Sequence, residues 1–350
     1  MAKVLANNGT VARLRAALLD WYGRQRRDLP WRHTRDPYSI WVSEIMLQQT
    51  RVAAVVDRYR TFMARFPTVF GLAAATEQEV LALWSGLGYY RRARMLHNAA
   101  QTVVSARKGV MPATATELRT LPGIGGYTAA AIASIAHNEP IAVVDGNVER
   151  VLCRIAGWDA DGGHSPKVEE LAARLVDPER PGDFNQAIME LGATVCLPRN
   201  PQCPACPAAA DCKTRGEHKT LPRLKSVIRD SGYALCLRPS RNRTGAANEL
   251  VLLEQRPPTV TVMPGLWELP MLREVPDPRV RMTVRHSIMN VNYVVRIREV
   301  RAEEVADLTV AGGERRWVPM DEASEMALTG LARKVLNRLG AAAGPVHPLN

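Results

Sequence analysis

The sequence lacks the two features that would direct a chain to a membrane. Arg13 and Arg15 interrupt the first apolar stretch before it reaches the length of the apolar region of a secretory signal. Residues 120–138 carry no Asp, Glu, Lys or Arg, but Pro122, three glycines and several Thr and Ser make this run too polar and too irregular for a membrane span. We therefore expect a protein of the cytoplasm.

A disulfide framework is also missing, because the six cysteines are not spread along the chain. Four of them crowd into residues 196–212, whereas Cys153 and Cys236 stand alone among apolar residues and are predicted to be inert core side chains. Acidic residues are in the minority, since 35 Asp and Glu oppose 46 Lys and Arg to give a formal net charge of +11. This surplus favours a polyanionic partner such as nucleic acid without identifying it.

The two halves of the chain differ in hydrophobic pattern. Residues 11–188 show the spacing of successive amphipathic helices, whereas short apolar runs bounded by turn residues predict a sheet in the later half. A closing amphipathic helix is predicted over 322–339. With no internal repeat, the length of 350 residues favours two domains. The predicted strands cover residues 234–237, 250–253, 291–297 and 317–319.

Four cysteines are spaced with six, two and five residues between them: Cys196, Cys203, Cys206 and Cys212. Closely spaced thiolates in a reducing compartment imply a metal. Zinc and a [4Fe–4S] cluster both accept four thiolate ligands, so the spacing alone leaves both open. Four protein ligands leave no open position for a substrate, which indicates a structural role.

Residues 121–128, Leu-Pro-Gly-Ile-Gly-Gly-Tyr-Thr, separate a helical stretch from an Ala-rich run. Gly123 and Gly125 permit tight backbone geometry, and the following helix directs free N–H groups beyond its N-terminus. Such a site suits a DNA phosphate. The alternative is a helix–helix turn that needs glycine only for packing.

Two acidic residues are candidates for catalysis. Glu44 lies in an apolar stretch and would share a helix face with Ile40 and Trp41, so burial would raise its pKa and suit it to general acid chemistry. A solvated glutamate on a helix surface is the alternative. Asp145 directly precedes a predicted helix, so it is an N-cap, a catalytic carboxylate or both.

These motifs resemble those of the MutY family of adenine DNA glycosylases, which belongs with endonuclease III to the helix-hairpin-helix superfamily. Residues 41–50, Trp-Val-Ser-Glu-Ile-Met-Leu-Gln-Gln-Thr, and 144–148, Val-Asp-Gly-Asn-Val, are similar to the segments that carry the family's catalytic acid and aspartate. The cysteine spacing resembles its iron–sulfur loop. The resemblance covers about residues 21–339, and it implies an all-α helix-hairpin-helix glycosylase domain with a [4Fe–4S] loop, followed by an α+β Nudix-like domain.

The implied organisation is a glycosylase domain over 1–195, a cluster loop over 196–212, a linker over 213–229 and a mispair-recognition domain over 230–350. The resemblance also implies a [4Fe–4S] cofactor on the four cysteines, although a zinc knuckle remains the alternative. The implied partner is double-stranded DNA containing adenine mispairs, bound by a monomer away from membranes, at the nucleoid if the source is bacterial.

The resemblance further assigns roles to three residues. Glu44 would protonate adenine at N7, and Asp145 would stabilise the cationic sugar. Tyr127 stands where strand-cleaving relatives carry the lysine that forms a Schiff base. The implied reaction is therefore hydrolysis of adenine mispaired with 8-oxoguanine or guanine, in base excision repair. Two alternatives are a bifunctional glycosylase and lyase for oxidised pyrimidines, and an iron–sulfur DNA-binding protein that senses redox state without cutting.

Other residues match family positions that contact DNA. Tyr89 is the expected intercalator, and Trp31, Arg32 and Gln186 match the adenine pocket. The remaining matching positions are Gln49, Thr50, Leu87, Gly88, Gly123, Gly125 and Asn147.

The later half resembles the family's Nudix-like module at residues 265–270, Gly-Leu-Trp-Glu-Leu-Pro. Residues 272–285 lack the glutamate-rich metal box of Nudix hydrolases, so this domain should bind rather than hydrolyse. The family commonly carries Phe-Ser-His where this chain has Ile288, Met289 and Asn290. Met289 and Asn290 are therefore the candidates for contacting oxidised guanine, and the alternative is the entry of a strand without DNA contact.

Overall fold

The structure is a computed structural model with two compact units. It describes residues 7–159, 165–217, 227–241, 247–275, 280–288, 291–310 and 312–340. Met289 and Asn290 lie outside this part of the chain. One unit consists of Met1–Ala74 and Met95–Pro222, and the other of Ala75–Arg94 and Arg223–Asn350. None of the helices in the described residues is long and apolar enough to cross a membrane.

Helices account for the regular structure up to the cysteine segment. They are α1 (Asn8–Gln25), α2 (Pro37–Leu47), α3 (Val52–Arg65), α4 (Val69–Ala74), α5 (Glu77–Trp84), α6 (Arg91–Arg107), α7 (Ala115–Leu118), α8 (Gly126–His137), α9 (Gly146–Ala156), α10 (Pro166–Leu175) and α11 (Pro181–Thr194). The predicted helical domain is confirmed. Helix α5 and the first turn of α6 belong to the second unit, although they interrupt the first in sequence.

Helix α9 shows how the sequence produces the core of the first unit. The side chain of Asp145 caps its first turn, and Gly157 ends it in the left-handed conformation at φ 70°. The predicted apolar face packs with residues of α1, α10 and α11. Each such side chain contributes about 1.5–3 kcal/mol on burial. Its buried members are Val148, Val151, Leu152 and Ile155. The predicted burial of Cys153 in this core is confirmed.

Helix α8 packs against α2, α7 and α11. A Cβ at Gly182, in the first turn of α11, would lie 2.6 Å from the carbonyl oxygen of Ser134, so glycine is what allows α11 to approach α8 this closely. Asp36 caps α2 and Pro37 occupies its first position. These contacts bring the middle of α2 close to the start of α8.

The second unit contains two sheets in its described residues. The strands are β1 (Val227–Leu235), β2 (Leu237–Arg241), β3 (Ala247–Gln255), β4 (Trp267–Glu268), β5 (Met282–Ile288), β6 (Val291–Glu299) and β7 (Arg315–Pro319). β6 pairs parallel with β1 and antiparallel with β5, while β3 pairs antiparallel with β2, β4 and β7. Together with α12 (Val305–Leu308) and α13 (Gly330–Arg338), they confirm the predicted α+β fold. Cys236 is buried, as predicted.

The closing helix is shorter than predicted. α13 begins at Gly330 rather than near residue 322, because the Thr329 hydroxyl accepts from the Ala332 N–H and caps the helix there. Leu328 instead forms an isolated β-bridge with Trp267. Backbone pairing and a cap therefore override the apolar periodicity upstream of Thr329.

Candidate active site

A cavity of about 730 Å³ opens in the first unit, within the size range of small-molecule sites. It is lined by α2, the starts of α8 and α9, α11 and the residues before α2. Glu44, Tyr127 and Asp145 all line it, although they are up to 101 residues apart in sequence. Trp31, Arg32 and Gln186, predicted for the adenine pocket, line it as well, and so do the predicted DNA contacts Gln49, Thr50 and Asn147.

Glu44 lies on the buried face of α2 and is only 6% exposed, beside buried Ile40 and Trp41. Burial raises the pKa of its carboxyl to about 7, and the charge of Asp145 acts in the same direction. A hydrogen bond from Tyr127 and the charge of Arg32 oppose this rise. Glu44 therefore keeps its proton up to neutral pH, and the solvated alternative is excluded.

Tyr127 lies in the first turn of α8, and its hydroxyl donates to Glu44 Oε2 at 3.0 Å. Burial, together with the charge of Glu44, raises the pKa of Tyr127 well above its ordinary value. The hydroxyl thus remains a donor at every pH at which the protein would act. It occupies one oxygen of the Glu44 carboxyl and leaves the other for a proton.

Asp145 caps α9. Its Oδ1 accepts from the N–H groups of Asn147 and Val148 at 2.9 and 2.7 Å, and its Oδ2 accepts from Asn147 Nδ2 at 3.1 Å. The positive end of the helix favours the anionic carboxylate. The N-cap interpretation is therefore confirmed, and it holds the carboxyl group in one orientation in the cavity wall.

Asn147 connects this cap to the cysteine segment. Its Oδ1 accepts from Arg150 Nη2 at 2.9 Å, and Arg150 Nε donates to the Cys196 carbonyl at 2.9 Å. A Cβ at Gly192 would lie 2.7 Å from Asn147 Cβ, so glycine lets α11 press directly on Asn147. Asn147, which donates to Asp145, is therefore itself held by Arg150 on one side and by α11 on the other.

Arg32 is fixed by an ion pair that the sequence did not reveal. Arg32 Nη2 and Arg27 Nη2 both donate to Glu190 Oε2 at 2.7 Å. Burial would raise the pKa of Glu190, but the bonds from the two arginines lower it to about 2. Glu190 follows Gln186 by four residues on one helix face, which is the signal that could have identified it. The nearby Trp31 is buried. Its ring packs edge-to-face with the ring of Tyr59, with the two ring centroids 5.3 Å apart.

Gln49 lies just beyond α2 with φ 53°, a left-handed conformation that is uncommon for residues other than glycine. The preceding Gln48 donates to the Thr128 hydroxyl at 3.3 Å, and its carbonyl accepts from the Thr50 hydroxyl at 3.2 Å. Backbone strain of this kind often marks functional sites.

The segment 87–89 belongs to the second unit. Tyr89 is 51% exposed and has φ 47°, so it is another left-handed residue among the predicted DNA contacts. Leu87 is buried. The Leu87 and Gly88 carbonyls accept from Arg92 Nη2 at 3.1 and 3.2 Å.

The two hairpin glycines differ in conformation. Gly123 has φ 76°, and a Cβ there would lie 2.6 Å from Met95 Cβ, so this position requires glycine. Gly125 has φ −83°, which any residue adopts, and no atom of the described residues lies within 4 Å of a Cβ built there. The backbone of Gly125 therefore does not require glycine, and a Cβ there would point into open space at the N-cap of α8.

The four clustered cysteines line one small cavity. Burial raises the pKa of the Cys206 thiol to about 11, with a further contribution from the other three thiols. Arg154 Nη1 approaches Cys196 Sγ at 3.4 Å and donates to the Leu197 carbonyl at 2.7 Å. Within the described ranges, no three His, Cys, Asp or Glu side chains are close enough to hold a single metal ion.

Comparison with known proteins places this chain in a family. A model of the HhH-GPD superfamily of base excision DNA repair proteins matches residues 42–178. The human adenine DNA glycosylase is 36% identical over 93% of this chain and 73% of its own length. The adenine DNA glycosylase of Mycolicibacterium smegmatis is 45% identical over 57% of this chain and 68% of its own length.

The solved structure of a thermostable thymine-DNA glycosylase is also similar, with a TM-score of 0.56 and 31% identity over 60% of this chain and 98% of that chain. The helical fold and the family match thus define a DNA glycosylase of the helix-hairpin-helix class. Within this class, the chain belongs to the adenine DNA glycosylase family.

Proposed function

We propose that this protein is a monofunctional adenine DNA glycosylase that hydrolyses the N-glycosidic bond of adenine mispaired with 8-oxoguanine or guanine. The observation that carries the proposal is that Glu44, protonated up to about pH 7, lines the same cavity as the capped carboxylate of Asp145. Cleavage of a glycosidic bond requires a general acid for the leaving group and a second carboxyl group that stabilises the sugar cation.

Glu44 is the general acid in this proposal. A carboxyl with a pKa of about 7 is half protonated at neutral pH, so it can both hold a proton and give it up to adenine N7. Protonation makes the base a better leaving group. The Tyr127 hydroxyl fixes the carboxyl by its bond to Oε2, which orients the second oxygen for proton transfer.

Asp145 stabilises the positive charge that develops on the sugar as the base departs. Its carboxylate is already oriented by three hydrogen bonds from Asn147 and Val148, so little reorganisation opposes the developing charge. Water then completes the hydrolysis.

Tyr127 supports hydrolysis without strand cleavage. A lyase step needs an amine to form a Schiff base, and a phenol cannot form one. The alternative bifunctional glycosylase would require a lysine in the cavity wall. No lysine is present among the described residues that line it.

The adenine must leave the base stack to reach this cavity. Trp31, Arg32 and Gln186 would line the pocket for the extruded base, while Gln49, Thr50 and Tyr89 would occupy the gap and contact the opposite base. Gly88 and Leu87 would support Tyr89 through their carbonyls. At the hairpin, the open N-terminus of α8 beside Gly125 would accept a DNA phosphate, with Gly123 shaping the turn.

The donor set fits a [4Fe–4S] cluster. Cys196, Cys203, Cys206 and Cys212 share a cavity, and thiolates are the ligands that such clusters use. The cluster would hold the loop in shape. We expect Cys206→Ala to remove the bound iron, as measured by metal analysis of the purified protein, whereas Cys153→Ala should retain it.

The second unit would recognise the partner base. The absence of the glutamate-rich box from 272–285 supports binding rather than hydrolysis. Met289 and Asn290 remain the proposed contacts to oxidised guanine. The proposed arrangement keeps the glycosylase domain at 1–195, the cluster loop at 196–212, the linker at 213–229 and the recognition domain at 230–350.

The decisive test incubates the protein with duplexes that hold adenine opposite 8-oxoguanine, guanine or thymine, and then exposes abasic sites with alkali. We expect release from the first two and slower or no release from the third. Borohydride should trap no covalent complex. Failure to release adenine opposite 8-oxoguanine would refute the proposal, and efficient trapping would favour the bifunctional alternative.

A further inference from the structure

The segment Ala75–Arg94 is joined to the C-terminal part of the chain by specific hydrogen bonds within the second unit. The Tyr90 hydroxyl donates to the Leu328 carbonyl at 3.0 Å. Arg333 Nε donates to the Ser85 hydroxyl at 2.7 Å, and that hydroxyl contacts the same Leu328 carbonyl at 3.4 Å. Ser85 and Tyr90 are both buried, so these bonds are shielded from competing water.

A second set of bonds fixes the flanks of the segment. Arg94 Nη2 donates to the Pro264 carbonyl at 2.5 Å, and Arg94 Nε pairs with Glu77 at 2.9 Å. Gln78 Nε2 donates to the Gly265 carbonyl at 3.2 Å. Both helices that flank the turn at 85–90 are therefore tied to the loop before β4.

Tyr89 lies directly beside the anchored Tyr90. A left-handed backbone costs a bulky residue about 1–3 kcal/mol, so it persists only when the surroundings hold it. Here the Gly88 carbonyl accepts from Trp84 Nε1 at 3.1 Å, and the Arg92 guanidinium lies 5.4 Å from the centre of the Tyr89 ring. The ring nevertheless remains half exposed. A strained, exposed aromatic residue on a rigid support is suited to stacking on an external ring.

We infer that Tyr90 and Ser85 are positioning residues that hold Tyr89 in its strained conformation through Leu328 and Arg333. The C-terminal unit thereby sets the position of the side chain that enters DNA. This inference rests on the proposed function only for the role of Tyr89. The anchoring itself can be tested without any substrate.

The first test measures amide hydrogen exchange of the full chain. Tyr90→Phe removes one hydroxyl and should speed exchange in the peptide covering residues 85–91, while α8 and α9 stay protected. Tyr38→Phe is the matched control, because the Tyr38 hydroxyl donates to the Phe66 carbonyl at 2.8 Å in the first unit. Unchanged exchange at 85–91 in both Tyr90→Phe and Ser85→Ala would overturn the inference, whatever the activity of the protein.

The second test compares single-turnover release of adenine from two duplexes. Adenine opposite 8-oxoguanine must be extruded from a base pair, whereas adenine opposite an abasic site has no paired base. Loss of one hydrogen bond should slow release from the first duplex about three- to tenfold and leave the second unchanged. Equal slowing on both duplexes would indicate a general structural defect and overturn the inference.

A double variant completes the test. If Tyr90 acts through Tyr89, Tyr90→Phe should have no further effect in a Tyr89→Ala background. Effects that multiply would mean that Tyr90 acts independently, against the inference. Should the wild-type protein release no adenine, the proposed function fails, while the exchange measurement still decides whether the anchoring exists.

Discussion

Glu44 shows how far a single residue could be predicted. Its apolar neighbours predicted burial, and burial is the largest cause of its raised pKa. The opposing contacts were not predictable, since Tyr127 is 83 residues away and Arg32 is held by Glu190, 158 residues away. The neighbouring residues in sequence predict whether a side chain is buried. Its hydrogen-bond partners depend on the packing of helices that are distant in sequence.

The pKa of Glu44 predicts the pH dependence of the reaction. As the pH rises through about 7, Glu44 loses the proton that the departing base needs, so single-turnover release should fall on the alkaline side. Tyr127→Phe removes a bond that lowers this pKa, so the falling limb should move to higher pH. Single-turnover rates of adenine release, measured for wild type and Tyr127→Phe from about pH 5 to about pH 9, would show the position of this limb. A limb that moves to lower pH would contradict the assignment.

The same pKa predicts an effect on stability. The folded-state pKa is raised from 4.5 to about 7, so the contribution of Glu44 to stability is fully present below about pH 4.5 and is lost as the pH rises through 7. Glu44→Gln does not titrate, and relative to wild type it should gain about 3 kcal/mol over this range while losing activity.

Unfolding midpoints at both ends of the range would measure this gain. Glu190→Gln is the control, because its change in stability relative to wild type at neutral pH should have the opposite sign. The pKa of Glu190 is lowered to about 2, so its removal should destabilise the protein at neutral pH. A Glu44→Gln variant whose stability relative to wild type does not change with pH would contradict the burial argument.

At the scale of the element, helix ends were predictable where one side chain defines them. Asp145 precedes an amphipathic pattern, and α9 begins just after it. Strands were harder, because pairing joins distant segments: β1 pairs with β6 over Val227↔Val291 to Leu235↔Glu299. The two-residue strand β4 pairs with Glu254 and Gln255 and forms a bridge to Leu328, and no local pattern could reveal these distant partners.

The double role of Asp145 predicts a separation of stability from activity. Asn caps helices about as well as Asp, so Asp145→Asn should melt close to wild type, whereas Asp145→Ala should lose about 1 kcal/mol. Both lose the negative charge and should release adenine about 10²- to 10³-fold more slowly. Thermal melts and single-turnover assays on the two variants would measure this. Retained activity in Asp145→Asn would contradict the role of the charge.

The hairpin glycines should respond in opposite ways. Gly123→Ala places a Cβ against Met95 in a left-handed conformation and should destabilise the fold by more than about 1 kcal/mol. Gly125→Ala has an ordinary backbone and open space for its Cβ, so it should lose less stability than Gly123→Ala, but its methyl group would obstruct a phosphate at the start of α8. Melting curves and DNA-binding titrations would separate these effects. Normal DNA affinity in Gly125→Ala would count against the phosphate site.

At the scale of the whole molecule, composition predicted two domains and a basic protein, and the change of pattern predicted where helices give way to sheets. It could not predict that Ala75–Arg94 belongs to the second unit. This segment has the helical pattern of its neighbours. Its assignment depends on side-chain bonds such as Arg333 to Ser85, across 248 residues of sequence.

This assignment predicts the behaviour of a fragment of residues 1–222. Without residues 223–350, Tyr90 loses the Leu328 carbonyl and Arg94 loses the Pro264 carbonyl, so trypsin should cleave after Arg92 and Arg94 faster than in the full chain. Cleavage after the exposed Arg119 should proceed equally in both and serves as the control. Equal protection at Arg92 and Arg94 would show that the first unit alone orders the segment.

The split segment also bears on how such proteins could be recombined. A chimera that joins the first 222 residues of one homologue to the C-terminal part of another would take Ser85 and Arg333, and likewise Arg94 and the loop that contains Pro264, from different proteins. The unit that can be exchanged is therefore discontinuous. A functional graft of a foreign recognition domain would have to carry its own counterpart of Ala75–Arg94 into the middle of the host's helical domain.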